Sequence, residues 1–155
     1  MQGFTVNNEL ELELSDSFEQ MSDAHLLRMF KNTANKKGFY SAQEHIAVAV
    51  CWTKPSLISA IADAGGVARG AEASFRERLR DYEPGEETKC RICGKKAFRK
   101  AYSYTADAED VRQTGELTVI KHKKRFYAVY VVSRAEDAGK NDSLIADIYE
   151  KMTLV

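Results

Sequence analysis

TKCRICGKKAFRKAYSYTADAEDVRQTGELTVIKHKKRFYAVYVVS, running from Thr88 to Ser133, is the stretch on which the fold turns. It reads as consecutive antiparallel strands near 88–93, 96–105 and 115–133, the last divided in two by a turn at Lys121-His122-Lys123-Lys124. In its final part Phe126, Ala128, Tyr130 and Val132 recur at the two-residue period of a strand with one face buried. No catalytic constellation surrounds these strands, and the combination points to a binding scaffold.

Upstream, Phe4-Thr5-Val6, Asn7-Asn8 and Glu9 to Leu14 read as a hairpin, because Asn tolerates the left-handed conformation that two-residue turns require. Leu10, Leu12 and Leu14 point inward and the glutamates outward. Ser22 suits the N-cap of a helix running to about Thr33, with Leu26, Leu27 and Phe30 buried and Lys36-Lys37-Gly38 ending it. From Glu44 to Thr53 a strand carries Ile46, Val48, Val50 and Trp52 on one face and Ala47, Ala49 and Cys51 on the other. Two apolar faces predict a central strand covered on both sides, with a helix close over the small face.

Pro55 opens a helical pattern through Leu57, Ile58, Ile61, Phe75, Leu79 and Tyr82, and Gly65-Gly66 interrupts it as the expected hinge. Glu83-Pro84-Gly85-Glu86-Glu87 reads as a turn. Asp142 or Ser143 starts a last helix whose stripe is Leu144, Ile145, Ile148, Tyr149 and Met152. Strands and helices in this order predict an α+β fold. The 155 residues, 44% of them hydrophobic, suit one domain spanning 1–155.

Lys plus Arg and Asp plus Glu each number 23, so the chain lacks the basic excess of a nonspecific nucleic-acid binder. Its charge is uneven: Glu9, Glu11, Glu13 and Asp16 are acidic, while 89–100 and 121–125 are basic. The N-terminus has neither the basic nor the apolar region of a signal peptide, and no apolar run approaches a membrane span. With three cysteines, too few and too odd for a disulfide framework, this predicts the cytoplasm, or export only after removal of a leader.

Cys90-Arg91-Ile92-Cys93 opens like a zinc knuckle, but a finger needs two histidines about a dozen residues on. Only His122 follows, and a four-ligand site would have to recruit Cys51 as well. A redox dithiol lacks the following helix N-terminus that lowers a thiol pKa. His25, His45 and His122 are far apart in sequence and sit in no acid–base motif, and Gly65-Gly66 through Gly70 follows a helical pattern instead of the strand that a phosphate loop requires. No metal or cofactor is assigned. Lys95, Lys96, Arg99 and Lys100 interleave with Phe98, Tyr102 and Tyr104, and the 121–125 turn can lie close to them. Such a face suits single-stranded nucleic acid, an acidic protein partner, or plain solvation of a lysine-guarded edge.

Gly94-Lys95-Lys96-Ala97 leading into Phe98 to Tyr104, the long hairpin to Val132, and the helix and tail from Ile145 to Val155 resemble the PsbP/DcrB-like family, whose fold is shared with the Ran-binding import factor Mog. The resemblance spans nearly the whole chain. It implies an antiparallel sheet of about six strands with helices on both faces. It also implies a family whose members bind or assemble other proteins, some bacterial ones shielding hydrophobic helices. Many bacterial members are exported lipoproteins, a departure from this chain, and no family functional residue maps onto a position here.

The resulting expectation is a nonenzymatic module binding a protein or peptide, a homodimer among the options, through Phe98, Tyr102, Tyr104, Phe126 and Tyr127. A basic rim favours a partner with apolar anchors and acidic flanks. The alternative is a small-molecule carrier or enzyme with a pocket between the sheet and the 56–82 helix, walled by Trp52 and Tyr82 with His45 as its polar group.

Overall fold

A computed structural model describes residues 1–155. In chain order the elements are β1 (Gln2–Val6), β2 (Leu10–Leu14), β3 (Glu19–Gln20), α1 (Asp23–Met29), β4 (Lys36–Ser41), β5 (Ile46–Trp52), α2 (Leu57–Ile61), α3 (Ala64–Arg78), β6 (Arg80–Ile92), β7 (Lys95–Ala106), β8 (Val111–His122), β9 (Arg125–Arg134), α4 (Ala138–Lys151) and β10 (Thr153–Leu154). One antiparallel sheet has the order β3-β4-β5-β9-β8-β7-β6, and β1-β2-β10 form a second, small sheet.

Three hairpins close through turns with two successive left-handed residues: Asn7 and Asn8 (φ 51° and 57°), followed by Glu9 in a three-residue loop between Val6 and Leu10, and the two-residue turns Cys93 and Gly94 (54° and 73°) and Lys123 and Lys124 (49° and 62°). This geometry matches the right-handed twist of the paired strands. Asn and Gly adopt it cheaply, whereas each lysine there costs about 1 kcal/mol or more.

The large sheet has a core on each face. On the first, Val48 and Val50 of β5 and Tyr127 and Val129 of β9 meet the leucines of β2 and Ile148 of α4. On the second, Phe98 and Tyr102 of β7, Leu117 of β8 and Phe126 of β9 meet Ala68 and Phe75 of α3. Small residues bring α3 close: a Cβ at Gly65 would stand 3.3 Å from the Phe98 ring. β5 is the expected interior strand, its large side chains on the first face and Ala47, Ala49 and Cys51 on the second, where Phe30 at the end of α1 meets Tyr130 edge-on at 5.3 Å.

The structure corrects four expectations. The first helix stops at Met29, its end closed by the Phe30 N–H on Leu26 O, and Leu27 is 53% exposed. Lys36-Lys37-Gly38 then begins β4, because Phe39 is buried in register with Val48. The break between α2 and α3 falls at Ala62-Asp63. Asp63 Oδ1 accepts from Gly66 N at 2.7 Å, so the two glycines lie in a capped first turn and not at a hinge. Tyr82 belongs to β6, and 83–87 is not a turn but part of a bulged edge strand, where Pro84 needs no ladder donor. α4 begins at Ala138, ahead of Asp142, and buries Ile148 and Tyr149 of the expected stripe, with Met152 buried just past its end. No helix is long and apolar enough to cross a membrane.

Candidate functional site

α2 has five residues, too few to hold a helix by its own hydrogen bonds. Polar contacts fix it instead. Thr53 Oγ1 accepts from Phe126 N at 3.0 Å, Ser56 N donates to Lys124 O at 3.4 Å, and Lys121 Nζ donates to Ala60 O and Ala62 O at 2.8 and 2.6 Å. The backbone is therefore anchored while the side chains are not: Leu57, Ile58 and Ile61 are 84%, 78% and 86% exposed. Burying each would contribute about 1.5–3 kcal/mol that the isolated chain does not collect.

Beside this ridge lies a groove of about 900 Å³ between the α2–α3 junction and strands β6 to β8, floored by Ala97 and Phe98. Arg69, Lys89, Arg91, Lys96 and Lys121 line it, with Asp63 as the only carboxylate. The register explains the crowding: Arg91 pairs with Lys96, and Lys121 lies one residue beyond the Ala97–Ile120 pair, so three cations stand side by side across three strands. Like charges directly opposite are destabilising. Apart from a 3.9 Å contact of Arg69 with Glu87, none of the five pairs with a carboxylate. Arg69 also sits over the Phe98 ring at 5.2 Å, and the N-terminus of α3 opens onto the groove.

The aromatic residues expected to form a binding face are largely interior. Phe98, Tyr102 and Phe126 are buried beneath α3, Tyr127 is fully buried in the opposite core, and only Tyr104 is half-buried. Phe126 and Tyr127 are adjacent in a strand and point to opposite faces, so no single surface contains both. The expected pocket residues do not meet either. Trp52 packs on the first core, Tyr82 lies under α3, and His45 stands at the far end of β5, its Nδ1 3.1 Å from Asp137 Oδ2.

Two of the supposed rim cations work inside the protein. Lys100 is 3% exposed, with Nζ 2.6 Å from Glu72 and 3.3 Å from Glu87. Burial raises the Glu72 pKa, but bonds from Lys100 and Tyr82 and the charges of Lys100 and Arg76 hold it below the usual carboxylate range. Arg99 lies over the Tyr149 ring at 4.5 Å and pairs with Glu116 at 3.7 Å. Glu9, which turns into the molecule from the small sheet, accepts from Tyr127 at 2.5 Å and faces Arg125, His122 and Lys123 within 3.5 Å. The Tyr127 bond and these cations depress its pKa against some desolvation.

No three His, Cys, Asp or Glu side chains converge as metal ligands would. His122 is buried with Nε2 2.8 Å from Val155 O, and Cys51 faces the second core, away from the β6–β7 turn. Burial pushes the Cys93 thiol up, as it donates to Met152 O at 2.9 Å, and pushes Cys51 up to about 12. Both shifts run opposite to thiol activation. His25 and His45 border one small cleft, and burial lowers the His25 pKa.

Sequence periodicity missed the ridge because Leu57, Ile58 and Ile61 have the spacing of a buried helical face. The available signal was the pair of N-caps, Ser56 and Asp63, which leave room for barely one turn between them.

No protein-family model and no curated protein sequence matches the chain. Solved structures do. Cyanobacterial PsbP from Synechocystis matches 99% of this chain and 92% of its own at 10% identity with a TM-score of 0.73. LpqN of Mycobacterium tuberculosis, described as involved in cell envelope biogenesis, matches 94% and 83% at 11% identity and 0.60. A point mutant of Mog1 matches 100% and 97% at 9% identity and 0.58. The protein has a PsbP/Mog-like α+β fold.

Proposed function

We propose that the protein is a nonenzymatic protein- or peptide-binding module of chaperone or assembly-factor type, acting in the cytoplasm. Its docking surface is the α2 ridge with the adjoining cationic groove. The observation that carries this reading is the backbone-anchored display of Leu57, Ile58 and Ile61 beside five cations of which only Arg69 contacts a carboxylate. The partner that fits is an amphipathic segment with aliphatic anchors for the ridge and Asp or Glu flanks for the groove. Lys123 and Lys124 support it: both are exposed in a strained turn bonded to the start of α2, and strain of this kind is retained where function uses it. Against nucleic acid stands the burial of Phe98, which leaves no free ring on the groove floor for base stacking. Three free thiols are compatible with a reducing compartment.

The test is a photo-crosslinking amino acid at Ile58 in extract of the source cells, with the captured segments sequenced. Expected are segments rich in Asp and Glu around aliphatic residues, with capture falling at least tenfold in the Lys89→Glu, Lys96→Glu variant. Capture that ignores this charge reversal would overturn the reading. Capture only of a second copy would replace it with self-association, checked by sedimentation velocity.

A further inference from the structure

At the other end of the second face, α1 and α3 diverge over β7 and β9 and leave a cavity of about 460 Å³. Its walls are aromatic. Phe75 stands 4.8 Å from Tyr102 and 5.9 Å from Tyr130, Phe30 closes on Tyr130, and Tyr104 stacks beside Tyr102 at 6.1 Å. The sequence makes room for it at Gly115. A Cβ there would lie 2.3 Å from Tyr102 Cζ, so the missing side chain lets the Tyr102 ring cross β8.

The hydroxyls carry the inference. Tyr82, Tyr127 and Tyr149 each bond a side chain, Glu72, Glu9 and Thr118. Tyr102, Tyr104 and Tyr130 border the cavity and have no hydrogen-bond partner in the protein, and none of their oxygens is sealed from solvent, so all three are open to a ligand. At the mouth stand Arg28, Arg78 and Arg80. Arg80 is taken up by Asp81, Asp107 and Asp110, and Asp107 is the one carboxylate lining the cavity. Arg78 caps Met29 O through Nη1 and Ser74 through Nε, and neither Arg78 nor Arg28 pairs with a carboxylate. Aromatic walls, unpaired phenol donors and two unneutralised guanidiniums ask for one kind of occupant.

We propose that this cavity is a binding site for a small amphipathic monocarboxylate, its ring or branched body between Phe75, Tyr102 and Tyr130 and its carboxylate toward Arg28 and Arg78. A ligand of roughly 12 to 16 non-hydrogen atoms fits a cavity of this size. The site shares no residue with the α2 ridge, so it stands or falls independently of partner docking.

The probe is 2-naphthylacetate, titrated calorimetrically against 2-naphthylethanol, which has the same ring and no charge. Expected is one site per chain with a Kd of about 0.1 mM, at least fivefold weaker binding of the alcohol, and a similar loss in Arg28→Gln. Ala106→Trp, which fills the cavity mouth, should abolish binding while circular dichroism and thermal unfolding stay those of the parent. Equal affinity for acid and alcohol, binding that survives Ala106→Trp, or no saturable binding would each overturn the proposal.

Discussion

Lys100 shows how far one residue's role can depart from its composition class. In sequence it belongs to a basic run, yet it sits between Phe98 and Tyr102 on the same strand face and so must point under α3. There its ammonium is held by Glu72 and Glu87. Removing one member of such a pair leaves an uncompensated charge in the interior, which costs more than the pair contributes. Lys100→Met should therefore destabilise by about 3 kcal/mol in urea unfolding, and adding Glu72→Leu should recover most of that loss. If the single substitution is neutral, the buried cluster is not formed in solution. The strand alternation that places Lys100 was legible in the sequence; the carboxylates that meet it come from α3 and β6 and were not.

At the scale of elements, α2 and β6 escaped the sequence reading for different reasons. The helical spacing of Leu57, Ile58 and Ile61 is genuine, but spacing says that three side chains share a face and not that anything covers it. β6 runs through Pro84-Gly85, strong turn formers that an outer edge strand tolerates because bulges absorb them. Since α2 is held by polar contacts to its backbone and not by its side chains, Leu57→Ser with Ile61→Ser should change the unfolding free energy by less than about 0.5 kcal/mol. In hydrogen exchange, α2 amides should open well before those of β5, β8 and β9. A loss of several degrees in Tm would mean that the ridge is buried in solution, and would remove the docking surface with it.

At the scale of the whole molecule, two cores share one sheet, and the Glu9 network ties the small sheet to the β8–β9 turn. Glu9 and Glu72 both titrate below the ordinary carboxylate value of 4.5 in the folded protein. The unfolded chain therefore binds protons first as pH falls, and the stability these groups confer is complete above about pH 4.5 and lost as pH drops through their depressed values. The stability difference between the parent and Glu9→Gln should be widest at pH 7 and narrow progressively as pH falls below about 4.5. Urea midpoints measured across that range check it, and a constant difference would mean that Glu9 is not engaged by Tyr127 in solution.

By itself the sequence determined the local grammar: the Asn7-Asn8 and Lys123-Lys124 turns, the alternating leucines of β2, the two-faced strand β5, the last helix and the α+β class. These follow from backbone sterics and from period-2 or period-3.6 burial, which act over a few residues. Only the tertiary structure decided which apolar face is covered and which cation is free. It buried Phe98, Tyr102, Phe126 and Tyr127, exposed Leu57, Ile58 and Ile61, neutralised Lys100 and left Lys89 and Lys96 unpaired. Coverage and pairing depend on residues distant in sequence arriving at the same place, as Arg91, Lys96 and Lys121 do across three strands, and no local period encodes that arrival.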